Sequence, residues 1–129
     1  MKKVVITGSC GFIGSNLVEA CLNESWHVTG IDNFATGSRK MAEPGRLVNL
    51  PGKYSFVCED INNTKHLTKI FSNCDTVFHL AALPRVSYSI DNPLSANEAN
   101  ITGTLSVLEA AKRAGVKRVV FSCSSSVYG

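Results

Sequence analysis

Three glycines spaced three residues apart, Gly8, Gly11 and Gly14, follow a short apolar run near the start of the chain. A glycine at position 8 can adopt backbone angles that other residues resist, and one at position 11 lets the main chain approach a pyrophosphate. A glycine at position 14 lets a following helix lie close to a sheet. Free N–H groups and the helix dipole at that helix start would favour a phosphate. The pattern predicts a dinucleotide-binding loop or, alternatively, a tight strand-to-helix turn that binds nothing.

The acid that would complete such a loop is Asp32, which follows Gly14 by 18 residues, at the end of the next apolar run. A carboxylate there can accept hydrogen bonds from both hydroxyls of an adenosine ribose and repels the 2′-phosphate of NADP. Arg39 and Lys40 follow in the chain and could weaken this repulsion. Asp32 and Asn33 could also simply begin a turn. The order of strand, glycines, helix and acid favours dinucleotide binding, with NAD preferred.

Five short apolar runs predict the strands that would position these residues. They are rich in β-branched and aromatic residues and almost continuously apolar, which is typical of parallel strands covered on both faces. The runs are residues 4–6, 28–31, 56–57, 77–80 and 119–121. Small polar residues follow the first and the last run, so both would lie at the carboxyl edge of the sheet, where open α/β sheets bind ligands.

Apolar residues at helical spacing separate these runs. One set lies between the first two runs and another between the last two, with Gly115 as a C-cap of the second. The sets are Ile13, Leu17, Val18, Cys21 and Leu22, and Ile101, Leu105, Leu108, Ala111 and Lys112. Alternating strands and helices predict βαβ units with right-handed crossovers in a parallel sheet. Residues 35–53, which include Gly37, Pro44, Pro51 and Gly52, show no clear periodicity and are predicted to form a loop or irregular helix.

Length and composition limit the class of protein. The chain has 129 residues, of which 44% are hydrophobic and 18% charged, which suits one soluble domain. No apolar run reaches the roughly 20 residues of a membrane helix, and the first residues lack the apolar segment of a secretion signal, so we expect a cytoplasmic protein. A net charge of +3 is too small to predict nucleic-acid binding. The odd number of widely spaced cysteines indicates free thiols rather than disulfides or a metal site: Cys10, Cys21, Cys58, Cys74 and Cys123.

Motifs along the whole chain resemble those of the extended short-chain dehydrogenase/reductase family, and within it the NAD-dependent epimerases and dehydratases. They are "TGSCGFIG", "IDN", "ED" at Glu59 and Asp60, "HLAA" from His79, "NITGT" from Asn100 and the final "SSSVYG". They are most similar to those of the nucleotide-sugar 4-epimerases. The resemblance implies a Rossmann-like doubly wound parallel sheet over residues 1–129, ending after about the fifth strand. It implies that the remaining strands and a C-terminal substrate domain are not in this sequence.

The resemblance also implies how NAD is held. The glycine loop would meet the pyrophosphate, Asp32 and Asn33 the adenosine ribose, and Asp60 and Ile61 the adenine. Residues after the fourth strand would form the floor beneath the nicotinamide. The implied cofactor-binding residues are Gly8, Gly11, Phe12, Ile13, Gly14, Asp32, Asn33, Thr36, Gly37, Asp60, Ile61, Leu80, Ala81, Ala82, Asn100 and Ser122.

Three of these motif positions keep a second interpretation. Asp60 could be a turn residue that caps the following helix, and Asn100 could be an ordinary N-cap rather than a residue behind the active site. His79 could act as a general base, but a packed histidine closing a strand is favoured because the family uses a tyrosine as its base.

Ser124 is the catalytic residue that the resemblance implies. Its hydroxyl would hydrogen-bond the 4-oxygen of a UDP-sugar and help pass the proton to a tyrosine of a Tyr-x-x-x-Lys pair, while C4 is oxidised to a ketone and then reduced on its other face. The family's 4,6-dehydratases carry Asp-Glu where Ser125 and Ser126 stand, so dehydratase or decarboxylase chemistry is the less favoured alternative. Cys123 would be a buried neighbour pointing away from the site.

No tyrosine in this sequence is followed four residues later by lysine, so we expect the 129-residue chain alone to be inactive as an enzyme. A non-catalytic dinucleotide-binding module is therefore a further alternative. Arg85, Ser87, Tyr88 and Ser89 are candidates to touch the sugar. The expected partners are the nucleotide-sugar and a second copy of the chain, held through the open edge of the last strand.

Overall fold

The computed structural model describes residues 1–42, 47 and 49–129. It contains five strands: β1 (Lys3–Thr7), β2 (His27–Asp32), β3 (Lys53–Cys58), β4 (Thr76–His79) and β5 (Arg118–Phe121). Each predicted run lies within or overlaps one of them. In the irregular segment the structure describes a 3₁₀ helix over Arg39–Ala42, whereas Pro44 lies outside the described residues.

The strands form one parallel sheet in the order β3-β2-β1-β4-β5. Strand β2 pairs with one side of β1. After β3 the chain returns, and β4 pairs with the other side of β1. This confirms the doubly wound, Rossmann-like architecture that the alternation predicts. The reversal of direction beside β1 opens a crevice at the carboxyl ends of β1 and β4, the usual ligand position in such sheets.

Helices cover both faces of the sheet. They are α1 (Phe12–Asn23), α2 (Thr64–Ile70), α3 (Val86–Asp91), α4 (Pro93–Asn97) and α5 (Gly103–Ala114), with a π-helical turn over Glu98–Thr102 between the last two and a 3₁₀ helix at Ser125–Tyr128. Val4 and Ile6 of β1 pack in a core with Leu22 of α1, whereas Val5 packs in a second core with Val107 of α5. Successive residues of β1 therefore supply two cores, because side chains alternate across a strand.

Of the residues at helical spacing around α5, Ala111 is buried but the large apolar ones are not. Ile101, Leu105 and Leu108 are exposed by 66%, 67% and 46%, whereas Val107 and Ala110 are fully buried. Small residues on the buried side let α5 approach the sheet and α2 closely, so the larger leucines lie on the opposite side of the helix. The periodicity predicts the helix, but the helix carries two apolar stripes, and periodicity alone does not say which of them is buried.

Strand β3 also departs from the prediction. It spans six residues rather than two, and the exposure of its side chains largely alternates. This is because β3 is an edge strand and one of its faces is not covered by α2 or α5.

Among the described helices, none has the length and apolar character that crossing a bilayer requires.

Candidate functional site

The glycine loop lies directly against the end of β4. Gly8 has a φ of +69°, and a Cβ placed on it would lie 2.8 Å from the backbone nitrogen of Ala81. A Cβ on Gly14 would lie only 2.0 Å from the carbonyl oxygen of Gly8, so this position has no room for a side chain. These contacts bring the start of α1 to the crevice beside β1.

The N-terminus of α1 has no side-chain cap. Gly11 occupies the N-cap position, and no acidic side chain lies in the first turn. Phe12 and Ile13 are exposed by 85% and 64%. A helix start without a capping side chain offers free N–H groups and a partial positive charge, which is the arrangement that binds phosphates.

Asp32 is fixed at the end of β2 by two backbone groups. Its Oδ2 accepts a hydrogen bond from the N–H of Cys10 at 2.9 Å, and its Oδ1 accepts one from the N–H of Phe34 at 2.8 Å. The first bond ties β2 to the glycine loop. A carboxylate has about four acceptor sites, so each oxygen can still accept a hydroxyl of a ribose. The turn interpretation also holds for the Phe34 bond, and the two roles are compatible.

The opposite end of the cleft carries acidic and amide groups. Asp60 accepts hydrogen bonds from the backbone and side-chain nitrogens of Asn62 and lies 3.4 Å from the amide nitrogen of Asn33. The side chain that caps α2 is that of Asn63, so the alternative that Asp60 is the helix cap is wrong. Glu59 pairs with His66, and this hydrogen bond holds the pKa of the Glu59 carboxyl below its ordinary value.

A buried hydrogen-bond network underlies the floor of the cleft. The hydroxyl oxygen of Thr7 accepts from the N–H groups of Leu80 and Ala81, both at 3.2 Å, and lies 2.8 Å from Nδ1 of His79. Nε2 of His79 lies 2.9 Å from the hydroxyl of Thr104. The hydroxyl of Thr104 donates to the carbonyl oxygen of Asn100 at 2.7 Å. Every group in this network is satisfied if Thr7 donates to Nδ1 and Nε2 carries the imidazole proton.

The network shows what His79 does. Its side chain is 1% exposed, and burial lowers the pKa of its imidazole to about 4. The ring also stacks on Phe121 of β5, with centroids 5.5 Å apart. His79 is therefore the packed histidine that the sequence favoured, and it is not placed to take a proton from a ligand.

Asn100 does not open a helix, because α4 begins seven residues earlier at Pro93. It lies in the π-helical turn, where its amide group accepts from the N–H of Leu83 at 2.8 Å and donates to the carbonyl of Leu83 at 3.0 Å. The N-cap interpretation is thus wrong. Asn100 instead holds the segment that leaves β4, and it does not line the cleft.

The chain after β5 passes over the mouth of the cleft. Ser122 and Cys123 line it, and Cys123 is exposed with a φ of +56°, which corrects the expectation that this thiol is buried. Ser124 caps the last 3₁₀ helix, where its hydroxyl oxygen accepts from the N–H of Ser126 at 3.1 Å. Ser124 is exposed and is not among the residues that line the cleft.

Together these elements enclose a cleft of about 640 Å³. All the predicted cofactor residues except Asn100 line it, although their contacts with a cofactor stay a prediction. Arg85, Ser87, Tyr88 and Ser89, which begin at the entrance to α3, do not line it. Lining residues outside the predicted cofactor-binding set are Ile31, Ala35, Glu59, Asn62, Leu83, Pro84, Ser95, Glu98, Ala99 and Cys123.

The residues that were missed come from two places. Most are neighbours of predicted positions, so a wider window around each motif would have found them: Ile31, Ala35, Glu59, Asn62, Leu83, Pro84 and Cys123. Ser95, Glu98 and Ala99 lie on α4 and the π-helical turn, whose approach to the cleft no local motif encodes. Within the described ranges, no three His, Cys, Asp or Glu side chains come together as metal ligands would.

Comparisons with known proteins agree with this geometry. A family model described as "NAD dependent epimerase/dehydratase family" matches residues 4–129. A UDP-glucose 4-epimerase of Pisum sativum is 37% identical over 99% of the chain, which spans 38% of that relative. A UDP-glucose 4-epimerase of Klebsiella pneumoniae is 35% identical over 98% of the chain and 92% of its own length. The crystal structure of UDP-glucose 4-epimerase from Bifidobacterium longum, in complex with NAD⁺ and UDP, superposes with a TM-score of 0.90 at 28% identity, over 99% of this chain and 38% of that one.

Proposed function

The chain belongs to the NAD dependent epimerase/dehydratase family, and from this premise we propose that it is the NAD-binding portion of a nucleotide-sugar 4-epimerase. The observation that carries the proposal is the cleft at the carboxyl edge of the sheet. An uncapped helix N-terminus, the Asp32 carboxylate and the Asp60 turn line one continuous surface there.

The residues of this cleft suit an extended dinucleotide. The start of α1 would hold the pyrophosphate, with Gly11 keeping side chains away from it. Asp32 would accept the ribose hydroxyls, and its negative charge disfavours a 2′-phosphate, which supports NAD over NADP. Asp60 and Ile61 would lie against the adenine. Leu80, Ala81 and Ala82 would lie beneath the nicotinamide, held in place by Thr7.

When bound, NAD supplies reversible oxidation of the sugar at C4. The chain's own contribution to this step is the hydroxyl of Ser124. Because its oxygen already accepts from the N–H of Ser126, its proton is available for the 4-oxygen of a sugar. The serines at 125 and 126 cannot serve as the acid and base of a dehydration, so epimerisation is favoured over 4,6-dehydratase chemistry.

The substrate that we propose is a UDP-sugar, in line with the names of the relatives. The chain spans about 38% of the length of most of them. The Tyr-x-x-x-Lys pair that the family's chemistry needs is not among the 129 residues. This favours the second candidate, a dinucleotide-binding module without catalysis, for the chain by itself, and measurable 4-epimerase turnover by the pure 129-residue chain would contradict it.

The proposal also covers assembly and location. A homodimer is supported by apolar side chains exposed on the edge strand β5, Val120 at 41% and Phe121 at 53%. A cytoplasmic location is supported by five cysteines that form no disulfide, as expected in a reducing compartment.

The test of the function is dinucleotide binding by the chain, measured by calorimetry with NAD and with NADP. We expect saturable binding of NAD and weaker binding of NADP. The variant Asp32→Ala should bind NAD more weakly, because it lacks the carboxylate that accepts the ribose hydroxyls. NADP should lose less affinity, because the same change also removes the repulsion of its 2′-phosphate. Glu19→Ala, on the far part of α1, is the control and should leave both affinities unchanged. Equal losses for NAD and NADP in Asp32→Ala would refute the ribose role, and no NAD binding by the unaltered chain would refute the function.

A further inference from the structure

The amino edge of the sheet, opposite the cleft, carries three basic residues in one row. Lys3, His27 and Lys53 are the first residues of β1, β2 and β3. The strand register pairs Lys3 with His27 and His27 with Lys53. Paired residues of neighbouring parallel strands point to the same face and lie about 5 Å apart. The fold therefore places three basic side chains side by side.

Such a row is unfavourable by itself. Like charges directly opposite one another on adjacent strands repel, and the N-terminal amino group adds to the positive field at His27. The acid near the row, Asp75, accepts a hydrogen bond from the backbone N–H of Lys3 at 2.9 Å. No Asp or Glu is among the residues that line the cavity described next.

Beside the row lies a cavity of about 190 Å³. This is far more than the roughly 10–15 Å³ that one water molecule needs. Besides the three basic residues, its lining includes hydroxyl and amide side chains that can donate as well as accept hydrogen bonds: Thr29, Ser55, Ser72 and Asn73. The hydroxyls of Thr29 and Ser55 lie 3.0 Å apart. Since that contact uses one of their two protons, the other remains free for a ligand.

One buried nitrogen at this site lacks a partner. Nε2 of His27 is shielded from solvent and has no hydrogen-bond partner among the described residues. Buried polar atoms are nearly always hydrogen-bonded in native proteins, so an unpaired one needs an explanation. The basic row and the hydroxyl groups of the lining favour an anionic ligand, and a turn of the imidazole ring towards the cavity would give this nitrogen a partner.

We propose that Lys3, His27 and Lys53 form an oxyanion-binding site, which takes a tetrahedral group such as phosphate in the cavity beside Thr29 and Ser55. An oxyanion there accepts a hydrogen bond from the free hydroxyl proton of Thr29 or Ser55, and it lies in the positive field of Lys3, His27 and Lys53. The site is separate from the dinucleotide cleft, because it lies at the other end of the same strands.

Proton binding at His27 should respond to this anion. Partial burial together with Lys53, Lys3 and the N-terminal amino group lowers the pKa of its imidazole. The other titratable groups lining the cavity stay neutral near pH 7, because burial raises the pKa of Tyr54 to about 12 and raises that of Cys74. A bound anion offsets the field of the two lysines and raises the pKa of His27. By linkage, the anion then binds more tightly as the pH falls through the titration of His27.

The test is an NMR titration of the isotope-labelled chain with inorganic phosphate, at an ionic strength kept constant with chloride. We expect saturable shifts at His27, Thr29 and Ser55. Sulfate, whose charge does not change between pH 5 and 8, should give similar shifts and raise the pKa of His27. Lys53→Gln should weaken phosphate binding about ten-fold, the loss expected for one hydrogen bond to a charged group.

Two further variants make the result decisive. Lys3→Gln should weaken phosphate binding to a similar extent, since Lys3 and Lys53 flank His27 equally. Lys117→Gln is the matched control, because Lys117 is also exposed and precedes a strand at the same edge, but on the far side of the sheet. It should leave the affinity unchanged. Shifts that do not saturate, or equal losses in all three variants, would overturn the site. NAD binding should be unaffected throughout, so this result is independent of the proposed function.

Discussion

At Thr7, one hydroxyl group joins the ends of β1 and β4 beneath the cleft. Its oxygen accepts from Leu80 and Ala81, and its proton goes to Nδ1 of His79. The same threonine therefore fixes the floor of the cleft and the tautomer of the histidine. Asp32 acts similarly at the next strand, where one carboxylate joins β2 to the glycine loop. At the scale of residues, side chains that bond to backbone hold the cleft in shape.

The buried imidazole of His79 makes stability depend on pH. Its pKa is about 4 in the folded chain and about 6.5 when unfolded. Between these values the unfolded state binds more protons, so stability is greatest above pH 6.5 and falls as the pH decreases towards 4. The total loss should be about 3 kcal/mol, since one pKa unit corresponds to about 1.4 kcal/mol.

Urea unfolding at pH 7.5, 5.5 and 4 measures this effect. The variant His79→Gln should lose most of the pH dependence, whatever its stability at pH 7.5. Lys65→Gln is the control, because Lys65 is exposed on α2, away from His79, and this variant should retain the decline. An unchanged pH dependence in His79→Gln would show that other groups cause it.

At the scale of elements, glycines shape the start of α1 and the end of α5, and each glycine serves a different purpose. Gly14 provides space where the helix touches the loop, and Gly8 provides both space and a left-handed backbone. Gly115 provides only the left-handed backbone that ends α5, since a Cβ there would contact nothing within 4 Å. These differences predict unequal costs for the same substitution.

Gly14→Ala should destabilise the chain by about 3 kcal/mol, because its Cβ would overlap a backbone oxygen that has no room to move. Gly115→Ala should cost about 1 kcal/mol, the price of a left-handed alanine. Urea unfolding compares the two free energies. NAD binding should be lost in Gly14→Ala and kept in Gly115→Ala. If both variants were equally stable, the close packing of α1 on the loop would be disproved.

At the scale of the whole molecule, the two edge strands of the sheet differ in polarity. Edge strand β3 is polar on its exposed positions, whereas edge strand β5 exposes Val120 by 41% and Phe121 by 53%. Leu105 and Leu108 of α5, with Ile101 of the preceding π-helical turn, form a second exposed apolar stripe. An unpaired apolar edge strand invites pairing with another chain.

We therefore expect the chain to self-associate through β5, with the effect rising with concentration in sedimentation velocity runs. Val120→Lys should reduce this association, because a charge on an edge strand opposes pairing. Leu105→Lys on α5 should not reduce it. Dissociation by Leu105→Lys alone would place the contact on the helix stripe, and a chain that stays monomeric at high concentration would refute self-association.

The sequence by itself determined the features that local chemistry encodes. Strand propensity located all five strands to within a few residues, and the glycine spacing located the loop and the start of α1. The alternation of strands and helices gave the parallel sheet. Because open parallel sheets bind ligands at their carboxyl ends, the motifs also indicated the cleft, and every predicted cofactor residue except Asn100 lines it.

The tertiary structure alone decided what depends on partners distant in the chain. Asn100 bonds to Leu83 rather than capping a helix, and α5 buries Val107 rather than Leu105. The row of Lys3, His27 and Lys53 exists only because the register aligns three strand starts that lie 24 and 26 residues apart in sequence. Periodicity and steric preference act between near neighbours, whereas register and the choice of buried face are set by the packing of the whole sheet.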